Sequence, residues 1–472
     1  MTRPVVPLDL ATPGRFHVVG VGGPGMSAVA IVLAEMGHQV SGSDVRERDV
    51  LGLVRNAGVE VHIGHAREFV GGCDAVTYST AIPADNVEID EAKHRGIPAL
   101  HRSGMLGSIC AMANSIGVAG THGKTTTTSM LMLVLAEAGL DPSFVVGGEV
   151  ANVGTGARWS GSEWLVVEAD ESDGTHLALP LFGTILTNID VDHLDHYGTF
   201  EAIAAGFDQY LGQIDGPKVL CLDDPACAEL AVVHGAVTYG IEHTERNCEL
   251  VPQFEARAVR QVSGGVEFDV AHLGALVGTV SLPLRGHHNV RNALAVVAMA
   301  HSIGIPFATT TGSLQKFGGV ARRFDLRGID AGATFVDDYA HLPAEIAAVL
   351  SAARTAGEWK RVVAVFQPNR FNRMAELWPA YRDAFVDADL VVLTEIYPSG
   401  TTPIPGVTGK LVVDAVREAH PDAQVVWLPD REELTDYLAR NMVEGDVCIS
   451  MGCGDVATLP SEVIERRAEA RR

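Results

Sequence analysis

The sequence AGTHGKTTTT, residues 119–128, decides how the middle of this chain folds. The small, mostly apolar residues Ser115–Ala119 precede it, as at the end of a strand, and Ser129–Ala138, rich in Leu, Met and Ala, follows it, as in a helix. A glycine-rich turn between strand and helix leaves backbone N–H groups to surround phosphate oxygens, while Lys124 can reach the terminal phosphates and the Thr125 hydroxyl can ligate Mg²⁺. The alternative is a turn that only joins strand to helix, since Val118 stands where the P-loop pattern has glycine. A lysine followed by threonines serves no packing purpose, so we predict an ATP or GTP site.

The length, composition and charge of the chain limit the classes of protein to which it can belong. A length of 472 residues predicts about three domains. Neither a signal peptide nor an apolar segment of bilayer length is evident, so we expect a cytoplasmic protein without a membrane partner. The seven cysteines include no C-x-x-C pair, which argues against a disulfide framework or a zinc site. The net charge of −24 argues against nucleic acid as a partner.

A second glycine-rich turn lies near the N-terminus. Phe16–Val19 has the pattern of a strand, GVGGPGMS at residues 20–27 follows it, and Ser27–Gly37 has the pattern of a helix. The next predicted strand, Gln39–Asp44, ends on an acid about twenty residues after the turn, as in a nucleotide-binding β-α-β unit. Alone, this turn is a weak signal: a dinucleotide site is the default interpretation, and a tight strand-to-helix connection is the alternative. A second nucleotide loop in the following domain favours a ligase over a hydride-transfer enzyme.

Acidic residues and a histidine follow the next predicted strands. Leu165–Glu168 is apolar and leads into EADESD, residues 168–173. Glu168 therefore stands where a Walker-B-type carboxylate would bind Mg²⁺, although a solvated acidic loop is the alternative. His193 follows the strand Gly183–Asn188 at the same sheet edge as Glu168, which indicates a metal role about as strongly as a capping or packing role. Period-two alternation over Gly265–Leu284 predicts a small antiparallel sheet.

The C-terminal third predicts another open α/β sheet, beginning near Phe324. Four short apolar strands are expected at Arg361–Phe366, Leu390–Leu393, Gln424–Trp427 and Val447–Ser450.

Polar residues stand beside those C-terminal strands. Arg322 and Arg323 are either a solvated basic pair or a source of charge for a transferring phosphoryl group. Asp338 could accept hydrogen bonds from ribose hydroxyls. Arg370 and Arg373, three apart at a helix start, can grip a carboxylate in fork geometry.

Together these stretches resemble the Mur ligases of peptidoglycan synthesis, over essentially the whole chain. The sharpest points are Gly22–Ser27 with Ser41–Asp44, Gly120–Thr125, Glu168–Asp173, His288–Asn292, Arg322–Phe324 and Asp337–Tyr339. The resemblance implies an α/β fold of three domains. These are a Rossmann-like UDP-binding domain at residues 1–113, a central P-loop ATPase domain with a small antiparallel sheet at 114–322, and a Rossmann-like amino-acid domain at 323–472.

The resemblance also implies a reaction and its partners. ATP would phosphorylate the lactyl carboxylate of UDP-N-acetylmuramate, and the amine of L-alanine would attack the acyl phosphate. The implied cofactors are ATP and Mg²⁺, and the implied protein is a monomer or a homodimer. Related ligases that attach another amino acid or a peptide remain an alternative, as does a non-catalytic sugar-nucleotide binder or NAD oxidoreductase.

The same resemblance assigns roles to individual residues. The catalytic set is Lys124, Glu168, His193 and Arg323, and the metal ligands are Thr125, Glu168 and His193. The ATP site comprises Gly120, Thr121, His122, Gly123, Lys124, Thr125, Thr126, Asn289, Asn292, Asp338 and His341. The sugar-nucleotide site comprises Gly22, Gly23, Gly25, Met26, Ser27, Ser43 and Asp44, and the amino-acid site comprises Asn369, Arg370 and Arg373.

Departures from the family pattern cluster in the amino-acid domain. The family usually has His, Tyr and Thr where this chain has Asn369, Phe371 and Asn372, His-His-Pro where it has His341-Leu342-Pro343, and Ala-Ala-Gly-Glu where it has Pro398–Thr401. The identity of the amine is therefore the inference that most needs an experiment.

Overall fold

The computed structural model describes residues 7–242 and 250–472. These residues form two compact units. One takes in the described residues of Met1–Val259 with Phe268–Leu282 and Val290–Gly318, and the other comprises Arg260–Glu267, Pro283–Asn289 and Gly319–Arg472. The three sheets have five, ten and six strands, and the predicted α/β class is confirmed. The exact domain boundaries at 113/114 and 322/323 stay predictions.

The N-terminal sheet is built from alternating strands and helices. Its elements are β1 Arg15–Val19, α1 Pro24–Glu35, β2 Gln39–Asp44, α2 Val50–Asn56, β3 Glu60–Ile63, β4 Ala75–Tyr78, α3 Val87–His94, β5 Ala99–His101 and α4 Arg102–Cys110. The strands are parallel in the order β3-β2-β1-β4-β5. Chain order reverses direction at β1, and ligands of open α/β sheets bind beyond the carboxyl ends of the strands at such a point. The first glycine-rich turn, which follows β1, lies there.

The central sheet is larger and mixed. Its elements are β6 Asn114–Ala119, α5 Lys124–Glu137, β7 Ser143–Val150, β8 Thr155–Arg158, β9 Trp164–Glu168, β10 Gly183–Leu186, α6 Leu194–Tyr197, α7 Phe200–Gly212, β11 Lys218–Cys221, α8 Pro225–His234, β12 Val237–Ile241, β13 Phe254–Val262, β14 Gly265–His272, β15 Ala275–Leu282, α9 His287–Ser302 and α10 Phe307–Leu314.

The strand order of this sheet brings three loops together. β6 lies between β10 and β9 and is parallel to both, so the segments after these strands leave the same edge. Helix α5 starts at that edge, and Thr125–Leu135 is buried throughout, which explains why it carries no polar face.

The predicted antiparallel strands do not form a sheet of their own. β13 pairs in parallel with β12 and extends the ten-stranded sheet. The connections from β13 to β14 and from β14 to β15 are two residues long, which only antiparallel neighbours allow. Gly264 and Gly274 take positive φ there, +78° and +82°.

The C-terminal sheet again alternates strands and helices. Its elements are β16 Asp325–Asp330, β17 Ala333–Asp338, α11 Pro343–Ala356, β18 Arg361–Phe366, α12 Phe371–Leu377, β19 Leu390–Leu393, α13 Lys410–Ala419, β20 Val425–Trp427, α14 Arg431–Asn441, β21 Asp446–Met451 and α15 Leu459–Ala470. The order is β16-β17-β21-β18-β19-β20, and β16 alone is antiparallel to its neighbour. In the described part of the chain, no helix is both long and apolar enough to span a bilayer.

Candidate active site

The phosphate loop, Gly120–Thr125, joins β6 to α5 as the sequence predicts. Gly120 and Gly123 have φ of +119° and +83°, a region that residues with a Cβ rarely adopt. A Cβ on Gly123 would also lie 2.5 Å from Asn292 Oδ1. Glycine is therefore required at Gly123 both by conformation and by space, and a role of this glycine cradle in holding phosphate stays a prediction.

The segment after β10 fixes the shape of this loop. The Thr121 N–H donates to the Asn188 carbonyl at 3.1 Å, and the His122 N–H donates to Asn188 Oδ1 at 2.8 Å. Thr187 Oγ1 donates to the His122 carbonyl at 2.6 Å. His122 Nε2 lies 3.0 Å from Asp190 Oδ2. Hydrogen bonds to the segment after β10 therefore fix the backbone conformation of the loop.

Lys124 lies among carboxylates. Its Nζ donates to Glu171 Oε1 at 2.9 Å and to the Gly120 carbonyl at 2.6 Å. Burial disfavours the ammonium ion, but Glu171, Asp170 and Glu168 outweigh that effect and raise the pKa of Lys124. The ammonium is therefore charged and stands at the phosphate loop, where negative charge accumulates in phosphoryl transfer.

The three predicted metal ligands lie on segments that leave one sheet edge. Thr125 is in the first turn of α5 and Glu168 ends β9, where it pairs in register with Val118 of β6. Glu168 Oε1 accepts the Gly147 N–H at 2.9 Å, so the carboxylate is held beside β7. His193 precedes α6 with φ of +53°, and its Nε2 lies 3.2 Å from Asp192 Oδ2.

These side chains suit a magnesium ion that keeps waters and phosphate oxygens as ligands. The described residues contain no group of three or more His, Cys, Asp and Glu able to hold a metal by themselves. Mg²⁺ in nucleotide sites typically takes only one or two carboxylates from the protein. A hydroxyl, a carboxylate and a glycine cradle at one edge fit that donor set, and the roles of Thr125, Glu168 and His193 stay predictions.

The first glycine-rich turn is shaped by Asp44. The Gly22 N–H donates to Asp44 Oδ2 at 2.9 Å, and a Cβ on Gly22 would lie 2.7 Å from the same oxygen. Ser43 Oγ donates to the buried Glu88 Oε2 at 2.7 Å, and Met26 is 2% exposed in the apolar core. The side chains of Ser43 and Met26 thus have structural partners. A role of Gly22, Gly23, Gly25, Met26, Ser27, Ser43 and Asp44 in binding the sugar nucleotide stays a prediction.

In the second unit, the structure distinguishes the two neighbouring arginines. Arg322 Nε donates to Asp337 Oδ2 at 3.0 Å and Nη2 donates to the Gly452 carbonyl at 2.7 Å. Both guanidinium groups lie 5.1 Å from the Tyr339 ring centroid. Arg322 therefore holds β17 to the end of β21. A role of Arg323 in stabilising charge stays a prediction.

Asp338 is the last residue of β17, and His341 lies three residues beyond it. The Asp338 carboxylate accepts the N–H groups of Phe324 and Ala340, each at 2.7 Å. Burial raises its pKa to about 6, against the opposing charge of Arg323. His341 Nδ1 lies 3.1 Å from the Tyr339 carbonyl. Their contacts with ATP, and those of Asn289 and Asn292, stay predictions.

The three residues that are predicted to bind the amino acid lie just before α12 and in its first turn. Asn369 is 2% exposed, and its Oδ1 accepts a hydrogen bond from Arg373 Nη1 at 2.9 Å. Arg370 has φ of +62°, and its N–H donates to the Tyr397 carbonyl at 2.9 Å. Asn369 thus orients one arginine of the predicted pair. Direct contact of these residues with an amino acid stays a prediction.

Sequence reasoning missed several partners of the phosphate loop. Asn188 shapes the loop, and Glu171 pairs with Lys124, although the sequence left the acids after Glu168 without roles. Arg102, from α4, donates from Nη2 to Asp170 at 2.9 Å and to Asp173 at 2.8 Å. The cluster of acids in the sequence indicated that a cation lies nearby. No sequence motif around Arg102 indicated that this residue would supply it.

Comparison with known proteins supplies the family. The chain matches the models "Mur ligase family, catalytic domain" over residues 15–113, "Mur ligase middle domain" over 118–300 and "Mur ligase, glutamate ligase domain" over 322–454.

Individual relatives are similar over nearly their full length. This chain is 40% identical over 462 residues to a UDP-N-acetylmuramate–L-alanine ligase from Pelotomaculum thermopropionicum, and the match covers 97% of this chain and 98% of that protein. It is 41% identical over 465 residues to the ligase of the same name from Geobacter sulfurreducens, with the same coverage.

Solved structures agree in fold. The UDP-N-acetylmuramate–alanine ligase of Thermotoga maritima superposes with a TM-score of 0.82 at 28% identity, over 97% of this chain and 100% of that one. A murein peptide ligase from Psychrobacter arcticus shares the fold, with a TM-score of 0.67 at 23% identity over 96% and 98% of the two chains. The family models cover more than half of the residues, and this chain belongs to the Mur ligase family.

Proposed function

We propose that this protein is an ATP-dependent ligase that joins L-alanine to the lactyl carboxylate of UDP-N-acetylmuramate in peptidoglycan precursor synthesis. The observation that carries the proposal is the charged Lys124 in a glycine cradle beside Glu168, in a chain about 40% identical to L-alanine ligases over 97% of its length. The work would be done in the cytoplasm on small-molecule substrates, by a monomer or a homodimer.

The chemistry follows from the poor reactivity of a carboxylate. A lactyl carboxylate oxygen forms a bond to the γ-phosphorus of ATP, and ADP leaves with the electrons of the broken P–O bond. The amine of L-alanine then adds to the acyl carbon, phosphate leaves, and the nitrogen loses a proton to give the amide. Bringing two anions together needs compensating positive charge, which Lys124 supplies at the phosphate loop.

Mg²⁺ bound with ATP would neutralise phosphate oxygens and orient them for in-line transfer. Thr125, Glu168 and His193 are the side chains of this chain that would hold it, since their segments leave one edge of the central sheet. Arg323 would add charge during transfer. In the amino-acid domain, Arg370 and Arg373 would bind the carboxylate of L-alanine, with Asn369 orienting Arg373.

Phosphate release tests the proposal. The purified protein is given ATP, Mg²⁺ and UDP-N-acetylmuramate with each amino acid in turn, and with an L-alanyl peptide. We expect turnover with L-alanine that depends on both substrates. A preference of more than about tenfold for another amino acid or for the peptide, roughly 1.4 kcal/mol in transition-state binding, would contradict the alanine assignment.

Variants of Asn369 test the predicted amino-acid site in the same assay. Because Asn369 orients Arg373, we expect Asn369→Ala to raise KM for L-alanine about fivefold with little change in KM for ATP. Asn369→His, which places the residue usual in the family, should lower KM for L-alanine. Asn441→Ala, at the end of α14, is a matched control and should change neither constant.

A further inference from the structure

A chain of alternating charges links the first domain to the phosphate loop. Arg102 begins α4, and its side chain is 19% exposed. Its Nη2 donates to Asp170 Oδ2 at 2.9 Å and to Asp173 Oδ2 at 2.8 Å. The next acid between them, Glu171, accepts from Lys124 Nζ at 2.9 Å. One short segment, Asp170–Asp173, thus contacts a cation from the first domain and the cation of the phosphate loop.

Arg102 also lies against the first glycine-rich turn. A Cβ on Gly25 would lie 3.1 Å from Arg102 Nη1, so this glycine makes room for the guanidinium. Helix α4 also packs closely against the segment that follows Asp170–Asp173, since a Cβ on Gly107 would lie 2.7 Å from the Ala178 carbonyl oxygen. Arg102 is therefore in contact with the turn predicted to bind the sugar nucleotide and with the acids beside the ATP loop.

The charge balance shows what Arg102 does for Lys124. Asp170 Oδ2 accepts a hydrogen bond from Arg102 Nη2 at 2.9 Å, and Asp173, three residues further on, accepts from the same nitrogen at 2.8 Å. Glu171, which directly follows Asp170, accepts from Lys124 Nζ at 2.9 Å. Without Arg102, the carboxylates of Asp170 and Asp173 would lose this cationic partner and would compete with Glu171 for the Lys124 ammonium.

We propose that Arg102 is a positioning residue for the ligase reaction, which neutralises Asp170 and Asp173 so that the Lys124 ammonium stays directed at the phosphate loop. The inference rests on the proposed function, because the reaction supplies its readout. Arg102 connects the two domains that are predicted to bind nucleotides. Its action is electrostatic, so removing the competing carboxylate should compensate for removing the guanidinium.

The test compares Arg102→Gln, Asp170→Asn and the double variant in the phosphate-release assay. We expect Arg102→Gln to lower kcat about 30-fold while KM for UDP-N-acetylmuramate changes less than about threefold. The double variant Arg102→Gln/Asp170→Asn should recover to within about fivefold of the wild-type kcat, because the carboxylate that competes for Lys124 has gone. Arg361→Gln is the matched control: Arg361, at the start of β18, pairs with the buried Asp446 of β21, and its loss should leave kcat unchanged.

The alternatives give different results. A purely structural role would lower the melting temperature without a rescue of kcat by Asp170→Asn. A direct contact with the sugar nucleotide would raise its KM and leave kcat near wild type. Either result overturns the proposal, whereas an inactive wild-type protein would instead overturn the proposed function. If Arg102→Gln does not fold, Arg102→Lys gives the complementary test, because lysine keeps the charge that the proposal requires: a kcat within about threefold of wild type supports it, and a loss of about 30-fold overturns it.

Discussion

The two glycine-rich turns of this molecule have the same architecture and different electrostatics. Each follows a buried parallel strand and leads into a helix, α1 or α5. At the first turn a carboxylate, Asp44, accepts the Gly22 N–H, and a proline occupies the first position of the helix. At the second turn an ammonium, Lys124, occupies the first position of the helix.

The difference shows that glycine provides the space and the surrounding charges select the ligand. At the first turn the Asp44 carboxylate accepts a hydrogen bond from the Gly22 N–H, which suits a ligand that has hydroxyl groups as well as phosphates. At the second turn the largely buried Lys124 pairs with the Glu171 carboxylate, which suits the proposed transfer of a phosphoryl group. A shared glycine pattern therefore predicts a turn, whereas the reaction is decided by side chains from elsewhere.

The largest effect is expected at the second turn. Lys124→Ala removes the positive charge at the point where negative charge develops in transfer. We expect kcat to fall about 1,000-fold, roughly 4 kcal/mol in the transition state, with the fold intact. Rapid-quench measurement of ADP formation checks this. A rate near that of wild type would break the distinction between the two turns.

Glu168→Gln should have the next largest effect. Glutamine keeps the size of the side chain and loses the negative charge that attracts a cation. We expect kcat to fall about 100-fold and the Mg²⁺ concentration for half-maximal rate to rise. Glu149→Gln, an exposed residue of the neighbouring β7, is the matched control. An unchanged Mg²⁺ titration for Glu168→Gln would remove this residue from the metal site.

His176, just after the acidic segment, predicts a pH effect on stability. It is fully buried between Phe207 and Tyr210, and burial lowers its pKa to about 4 from the usual 6.5. The unfolded chain therefore binds more protons between pH 6.5 and about 4, so stability is fully present above pH 6.5 and is lost as the pH falls.

Replacing this histidine isolates its contribution. At pH 5 the wild type should have lost about 2 kcal/mol through His176, and His176→Phe should not share that loss. Urea unfolding at pH 7.5 and pH 5 measures the difference. His94→Gln, at an exposed position of α3, should lose stability in parallel with the wild type. A parallel loss in His176→Phe would show that the ring is protonated in the folded state.

The smallest effect is expected at the first turn. Gly22→Ala would place a Cβ 2.7 Å from Asp44 Oδ2 and displace that carboxylate. We expect KM for UDP-N-acetylmuramate to rise about tenfold with kcat within about threefold.

Two comparisons make this last prediction specific. Gly52→Ala is the matched control, because a Cβ there meets nothing within 4 Å. Calorimetry should also show binding of UDP-N-acetylmuramate to the wild type and none of NAD. Tighter binding of NAD would show that the first turn has been assigned to the wrong ligand.

Much of this molecule follows from local patterns. Strands such as Arg361–Phe366 and Leu390–Leu393 begin and end where the apolar runs predict, since burial on both faces needs unbroken apolar sequence. The sequence also predicted the antiparallel strands, but it did not predict that they extend the central sheet. No sequence pattern indicates that β12 pairs with β13.

The sequence by itself determined the two glycine-rich turns, the strands before them and the family, because each depends on residues close together in the chain. Only the tertiary structure decided the partners of the charged groups. Glu171 is 47 residues from Lys124, and Arg102 is 68 residues from Asp170. Such contacts depend on strand order and on the packing of α4, which no local pattern specifies. Electrostatic forces act through space, so the residues that tune a site come from wherever the fold brings charge near it.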